Sequence, residues 1–214
     1  SASAPVPLGS VNCLLDAQIV DVRVENQDER AWAAVEGTFI IQNPNRLEPE
    51  TITVTLPASL PDGLIFDPAR LPDFTIRAKG AERQLTVLRS TPSVESQDVV
   101  TQAYALALDV PAGGLADIRL SYRQDLGDNA QVSFRFANSV GSRWPGAVGS
   151  SLITVRLPVQ AQQEQVLSAQ PANMSFDAGQ ITWYDTDFEP KEDVVVHFVN
   201  PALWERIQQS RSAA

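Results

Sequence analysis

The sequence predicts an all-β protein, an antiparallel β-sandwich with a short C-terminal helix. Three observations predict it. Apolar and polar residues alternate with period 2 along almost the whole chain, the mark of strands with one buried face. No helical pattern of roughly 10–15 residues separates these stretches, which excludes βαβ crossovers and, with them, doubly wound sheets and α/β barrels. The connections are short and rich in Gly, Pro, Asn and Asp, as antiparallel hairpins require.

Residues 1–16 open with Ser-Ala-Ser-Ala-Pro-Val-Pro-Leu-Gly-Ser and read as a linker-like segment. In residues 19–25, Val20, Val22 and Val24 face one way while Asp21 and Arg23 face the other. Ala33, Val35, Gly37, Phe39 and Ile41 form the next inward row, and in residues 51–56 a Thr face backs an aliphatic one. Short strands follow at 64–66, 74–78 and 84–89. Two long ones come next, at 99–110 with Tyr104, Leu106 and Leu108 inward, and at 115–122 with Ile118, Leu120 and Tyr122 inward. Val132, Phe134 and Phe136 alternate with Ser133 and Arg135; residues 152–157, 180–184 and 193–199 complete the set, with 165–169 a weaker candidate. Asn200 can cap a final helix, Pro201 suits its first position, and Leu203, Trp204 and Ile207 share a face.

The run Ile52-Thr53-Val54-Thr55-Leu56-Pro57 recurs as Ile153-Thr154-Val155-Arg156-Leu157-Pro158, each preceded by a similar pair of strand fragments. One reading is a duplication, with sandwich-like halves at 17–112 and 113–200 and a helix and tail at 201–214. These halves would stand in tandem or share one extended core. The other reading is that aliphatic-Thr alternation ending in Pro is common strand punctuation.

The 214 residues are 43% hydrophobic and 20% charged, an ordinary globular composition that excludes disorder for most of the chain. The net charge of −10 repels phosphate backbones, and the 16 cations are scattered, so no nucleic-acid partner is expected. One His and one Cys leave no material for an imidazole-rich metal site, a zinc ribbon or an internal disulfide. No apolar run approaches the ~20 residues that span a bilayer, so the sequence is expected to be soluble as it stands. Linker-like ends fit a domain tethered to a membrane within a longer protein.

Nucleophile elbows, phosphate-binding Gly loops and His-Glu-x-x-His are absent. His197 alternates with Val196 and Phe198 and reads as a half-exposed strand histidine, and Cys13 as a small, partly buried hydrophobe. Asp185, Asp187 and Glu189 place alternating carboxylates in one short acidic run, as the start of a calcium loop does. The Gly and Glu that complete an EF-hand are missing, and the same run also reads as a solvated hairpin turn. Trp144 lies beside Arg143 in a long Gly- and Ser-rich segment, where an indole and a guanidinium could stack on a sugar or anchor a protein. The competing reading folds Trp144 back to plug the end of the sandwich. Trp183 shares a face with Ile181 and belongs to the core; Trp204 docks the helix.

Several short pieces carry a resemblance: Phe136-Ala137-Asn138 leading to Arg143-Trp144, residues 153–158, Gly179-Gln180-Ile181-Thr182-Trp183, and Phe188-Glu189-Pro190 before 194–198. From about Ile118 onward the chain resembles bacterial extracytoplasmic β-sandwich proteins of uncharacterised function. The resemblance covers under half the chain, implies secretion or surface display, and carries no catalytic residue to transfer. The expectation is a non-enzymatic, extracytoplasmic interaction or structural module without cofactor, whose partner is a protein or a cell-surface glycan. Its alternative is a carbohydrate-binding module using the loop aromatic Trp144, with Arg143 beside it, and Tyr184.

Overall fold

The computed structural model describes residues 2–57, 68, 71–90, 101–158 and 161–213. Its strands are β1 (Ala2–Ser3), β2 (Val6–Pro7), β3 (Leu14–Gln27), β4 (Arg30–Gln42), β5 (Glu50–Pro57), β6 (Thr75–Ala78), β7 (Ala81–Glu82) and β8 (Thr86–Ser90). They continue with β9 (Thr101–Val110), β10 (Leu115–Gly127), β11 (Gln131–Ala137), β12 (Val148–Arg156), β13 (Val166–Gln170), β14 (Ser175–Asp177), β15 (Gln180–Phe188) and β16 (Val194–Val199). The helix α1 (Pro201–Ser212) ends the chain. The expected strand at 64–66 lies outside the described residues.

The strands form three sheets: a large one in the order β14-β15-β12-β3-β4-β10-β6-β7, and two of four strands, β1-β11-β16-β13 and β2-β5-β9-β8. The fold is an all-β sandwich with a short C-terminal helix. The inward rows read from the sequence are the buried ones: Val20, Val22 and Val24 on β3, Phe39 and Ile41 on β4, Phe134 and Phe136 on β11, Val196 and Phe198 on β16. All three sheets turn these rows into one core. Gly37 lies in the β4 row because a Cβ there would stand 2.9 Å from the Phe39 ring. Gly149 has a similar reason, since its Cβ would meet the Asp16 carbonyl oxygen at 2.5 Å where β12 passes β3.

Three expectations change. The pairing is not wholly antiparallel, because β3 pairs with β12 and β1 with β11 in parallel. The segment 1–16 is not linker-like: Ala2 and Ser3 pair with β11, Val6 and Pro7 with β5, and Ala4, Val6 and Cys13 are buried. Its short apolar run adds one edge strand to each small sheet. The division at 112/113 crosses a continuous sheet, where β3 and β4 of the first part hydrogen-bond to β12 and β10 of the second. The strands matched by the repeated run also occupy different sheets, β5 in a small one and β12 in the large one, so the echo has no counterpart in topology.

The helix starts as its sequence dictates. The Asn200 side chain accepts from the Ala202 N–H at 2.9 Å, and Pro201 occupies the first turn, where its missing N–H costs nothing. Trp204 is buried against the sandwich. Among the described residues no helix is long and apolar enough to cross a membrane.

Candidate functional site

Trp144 is 3% exposed and its indole N–H donates to the Pro5 carbonyl at 2.9 Å. It plugs the sandwich under the N-terminal strands, which removes it as a stacking platform and corrects its pairing with Arg143 as a ligand site. Arg143 itself is exposed at the end of a 3-10 turn, Ser139–Arg143.

That turn is pinned by Asp193. One carboxylate oxygen accepts from the Ser139 backbone N–H at 2.9 Å and from the Ser139 hydroxyl at 2.6 Å; the other accepts from Arg135 Nε at 2.9 Å and from Arg135 Nη2. Burial opposes the charge on Asp193. The Ser139 and Arg135 hydrogen bonds and the Arg135 charge outweigh it, so the carboxyl titrates below its ordinary range. The cluster is a structural clasp that holds the loop carrying Trp144 onto β16.

The proposed calcium run does not assemble. Asp185 is half-buried and accepts from Asn173 Nδ2 at 3.1 Å, Asp187 stands one residue before the end of β15 in a left-handed conformation with φ 48°, and Glu189 is exposed beyond the strand. Among the described residues no three His, Cys, Asp or Glu side chains gather where they could hold a metal ion. Only Asp185 sits in regular extended backbone; the left-handed residue at Asp187 and the end of β15 at Phe188 break the run before Glu189. The run is not a hairpin turn either, since it passes from β15 in the large sheet to β16 in a small one.

His197 is exposed between Ser133 and Ser168 of the neighbouring strands. Cys13 is fully buried, and its thiol donates to Glu50 at 3.3 Å. Burial first, then this hydrogen bond and the Glu50 charge, pushes the thiol up to about 12, the reverse of what a nucleophile needs.

Tyr184, which the carbohydrate reading named, lies on the outer face of the large sheet beside two residues that sequence reasoning missed, Ile19 and Leu152. Register places Tyr184, Leu152 and Ile19 in one row across β15, β12 and β3. Tyr184 is 65% and Ile19 49% exposed, and Leu152 is half-buried between them. Thr182, Thr186 and Ser150 flank the row. Elsewhere on this face several charges are paired: Arg23 with Glu36 at 3.1 Å, Arg156 with Asp21 at 3.1 Å, and Arg123 with Glu25 at 3.2 Å, its guanidinium 5.0 Å from the Trp32 ring centre. The face thus has an ion-paired part and an apolar strip. The signal was present in the sequence as Ile19-Val20, Leu152-Ile153 and Trp183-Tyr184, where apolar residues occupy both faces of a strand at once. Only the register reveals that the three pairs are neighbours.

No protein-family model and no curated protein matches the chain. Among solved structures it is similar to a Legionella pneumophila protein provisionally assigned as a nutrient binding protein, at 15% identity and a TM-score of 0.71, covering 92% of this chain and 70% of that one. Looser likenesses are an M1 zinc metallopeptidase from Deinococcus radiodurans, at 10% identity, TM-score 0.43 and 89% and 43% coverage, and the yeast LTA4 hydrolase, at 5%, 0.43 and 86% and 28%. The first likeness establishes the fold.

Proposed function

We propose that this chain is a non-catalytic binding module of an extracytoplasmic protein and that it engages another protein through the outer face of its large sheet. The observation that carries this reading is the exposed Tyr184–Leu152–Ile19 row. An apolar strip whose neighbouring charges already satisfy one another resembles the centre and rim of a protein interface, where charge is kept to the periphery. Tyr adds a large contact area at the cost of only two torsions. The shared fold with a provisionally assigned binding protein supports a binding role, and the location rests on the sequence resemblance of the segments after Ile118.

A photo-cross-linking residue in place of Ile19, introduced in the native host, tests it. A discrete protein adduct at Ile19, absent from the 89%-exposed loop position Leu47 and lost when Tyr184→Asp is added, is the expected result. Equal adducts at both positions, or none at Ile19, would overturn it. A glycan is the second reading, favoured by the exposed Tyr184 ring among the hydroxyls of Thr182, Thr186 and Ser150. It predicts saturable binding on a glycan array that disappears in Tyr184→Ala.

A further inference from the structure

β15 is paired unequally on its two sides. β12 accompanies it from Gln180 to Phe188, whereas β14 on the other side reaches only from Gln180 to Thr182. The chain before Ser175 is held instead by side chains: the Trp183 indole N–H donates to the Pro171 carbonyl at 2.8 Å, and Asn173 Nδ2 donates to the Asp185 carboxylate at 3.1 Å. Past Thr182, no strand among the described residues pairs with the outer edge of β15.

The turn between β14 and β15 fixes which backbone groups meet that edge. Ala178 and Gly179 both have positive φ, 46° and 80°, as a two-residue hairpin turn requires, so Asp177 and Gln180 form a hydrogen-bonded pair. Counting by twos from Gln180, Thr182, Tyr184 and Thr186 direct N–H and C=O to the same side. β14 lies opposite Thr182. The groups of Tyr184 and Thr186 stand at the open edge, and both residues are exposed. Such an edge is a template for a further strand.

Charge decides which strand fits. Asp187 and Glu189 are exposed and Asp185 is half-buried, and among the described residues no cation pairs with any of the three. Carboxylates at an edge guard it against unwanted strands. They also guard it against the chain itself, since antiparallel pairing of two copies of β15 would set Asp185 and Asp187 of one against those of the other. A net charge of −10 adds to that repulsion. A strand carrying Lys or Arg turns the guard into an attraction.

We propose that the open edge of β15 takes up, as an added strand, an extended segment of a partner protein in which apolar residues alternate with Lys or Arg. The proposal rests on the outer-face reading above and names the chemistry of its partner. The segment's backbone pairs with Tyr184 and Thr186. Its side chains on the outer face lie beside Tyr184 and lengthen the Tyr184–Leu152–Ile19 row, so these are apolar. The residues between them fall on the opposite face, the side of Asp185, so these are cationic.

The test is binding of end-blocked, dye-labelled hexapeptides to the 214-residue chain, read by fluorescence anisotropy, with amide hydrogen exchange of the chain as a second readout. A peptide alternating Val and Lys is expected to bind saturably and to slow exchange at Tyr184 and Thr186 tenfold or more. The same residues in block order keep the charge, and an alternating peptide N-methylated throughout keeps the side chains without their donors. Each is expected to bind roughly tenfold or more weakly. Alternating Val and Glu is expected not to bind. Thr186→Pro, which removes a donor from the edge, is expected to abolish binding, and Asp185→Asn combined with Asp187→Asn to weaken it. Equal binding of the block-order or methylated peptide would show unselective attraction to an acidic chain and overturn the proposal. So would the lack of saturable binding, exchange unchanged at Tyr184 and Thr186, or a dimer that Thr186→Pro dissolves, which would put a second copy at the edge. An Ile19 adduct in the host without peptide binding overturns strand addition alone; the outer-face reading falls with the Ile19 adduct. The peptide series on the unmodified chain decides the matter even where a variant fails to fold.

Discussion

The segment at 138–147 and the strip across β15, β12 and β3 both hold large side chains outside the regular inward rows, and they meet opposite fates. Trp144 is 3% exposed with its indole N–H satisfied by Pro5, whereas Tyr184 is 65% exposed on the outer face of a sheet. The difference is a second layer. β1 and β2 close over Trp144, and the Asp193 clasp holds the turn beneath them; among the described residues, the Tyr184 row lacks such a cover. An aromatic residue in a Gly-rich loop is therefore no more available to a partner than one in a strand. What matters is which layers the rest of the chain supplies.

The largest effect that could break this contrast is on stability. Trp144→Ala is expected to cost about 3–5 kcal/mol through the cavity it leaves, with the Pro5 carbonyl losing its donor as well. Urea unfolding measures it, and a loss below about 1 kcal/mol would mean that the indole is not part of the core.

Next comes the clasp. Asp193→Ala leaves Arg135 and Ser139 without their carboxylate and is expected to cost about 1–3 kcal/mol, loosening the Trp144 side without touching the Tyr184 strip. The same group makes a pH signature. Its folded pKa lies below the unfolded value, so its contribution is full above the unfolded pKa, near 3.9, and is lost as pH falls through the folded one. Melting temperatures recorded on descent through that range should fall less steeply in Asp193→Asn than in the parent chain.

A smaller effect opposes it at the alkaline end. Folding keeps the Cys13 thiol protonated up to about 12, so the stability tied to it is full below the unfolded thiol pKa, near 8.5, and declines as pH rises from there towards 12. Cys13 should resist alkylation in the native chain at pH 8 and react in denaturant. A single thiol closes no loop, so reductant should leave the melting temperature unchanged. Smallest of all is Tyr184→Ala, expected to change stability by no more than about 0.5 kcal/mol. A large loss there would mean that the ring is structural and would remove the support for the binding face.

Period 2 made much of the interior legible. Val20, Val22 and Val24, the β4 row, Phe134 and Phe136, and Trp183 were assigned to the core from local alternation and are buried. The Asn200-Pro201 cap was legible because it satisfies the helix within a few residues. The partners of strands were not. Alternation tells which face of β3 is buried but says nothing of its parallel neighbour β12, more than a hundred residues away. Asp185, Asp187 and Glu189 teach a related lesson: proximity in sequence is not convergence in space, and among the described residues no three such side chains gather where they could hold a metal ion.

The sequence by itself determined the all-β class, the inward rows and the helix start, because each depends on interactions between residues a few positions apart. Tertiary structure alone decided that the N-terminal strands seal Trp144, that Ile19, Leu152 and Tyr184 align as one exposed strip, and that Gln165 and Trp204 line a common cavity. Those outcomes require segments distant along the chain to meet. Nothing in local periodicity specifies which distant segment arrives.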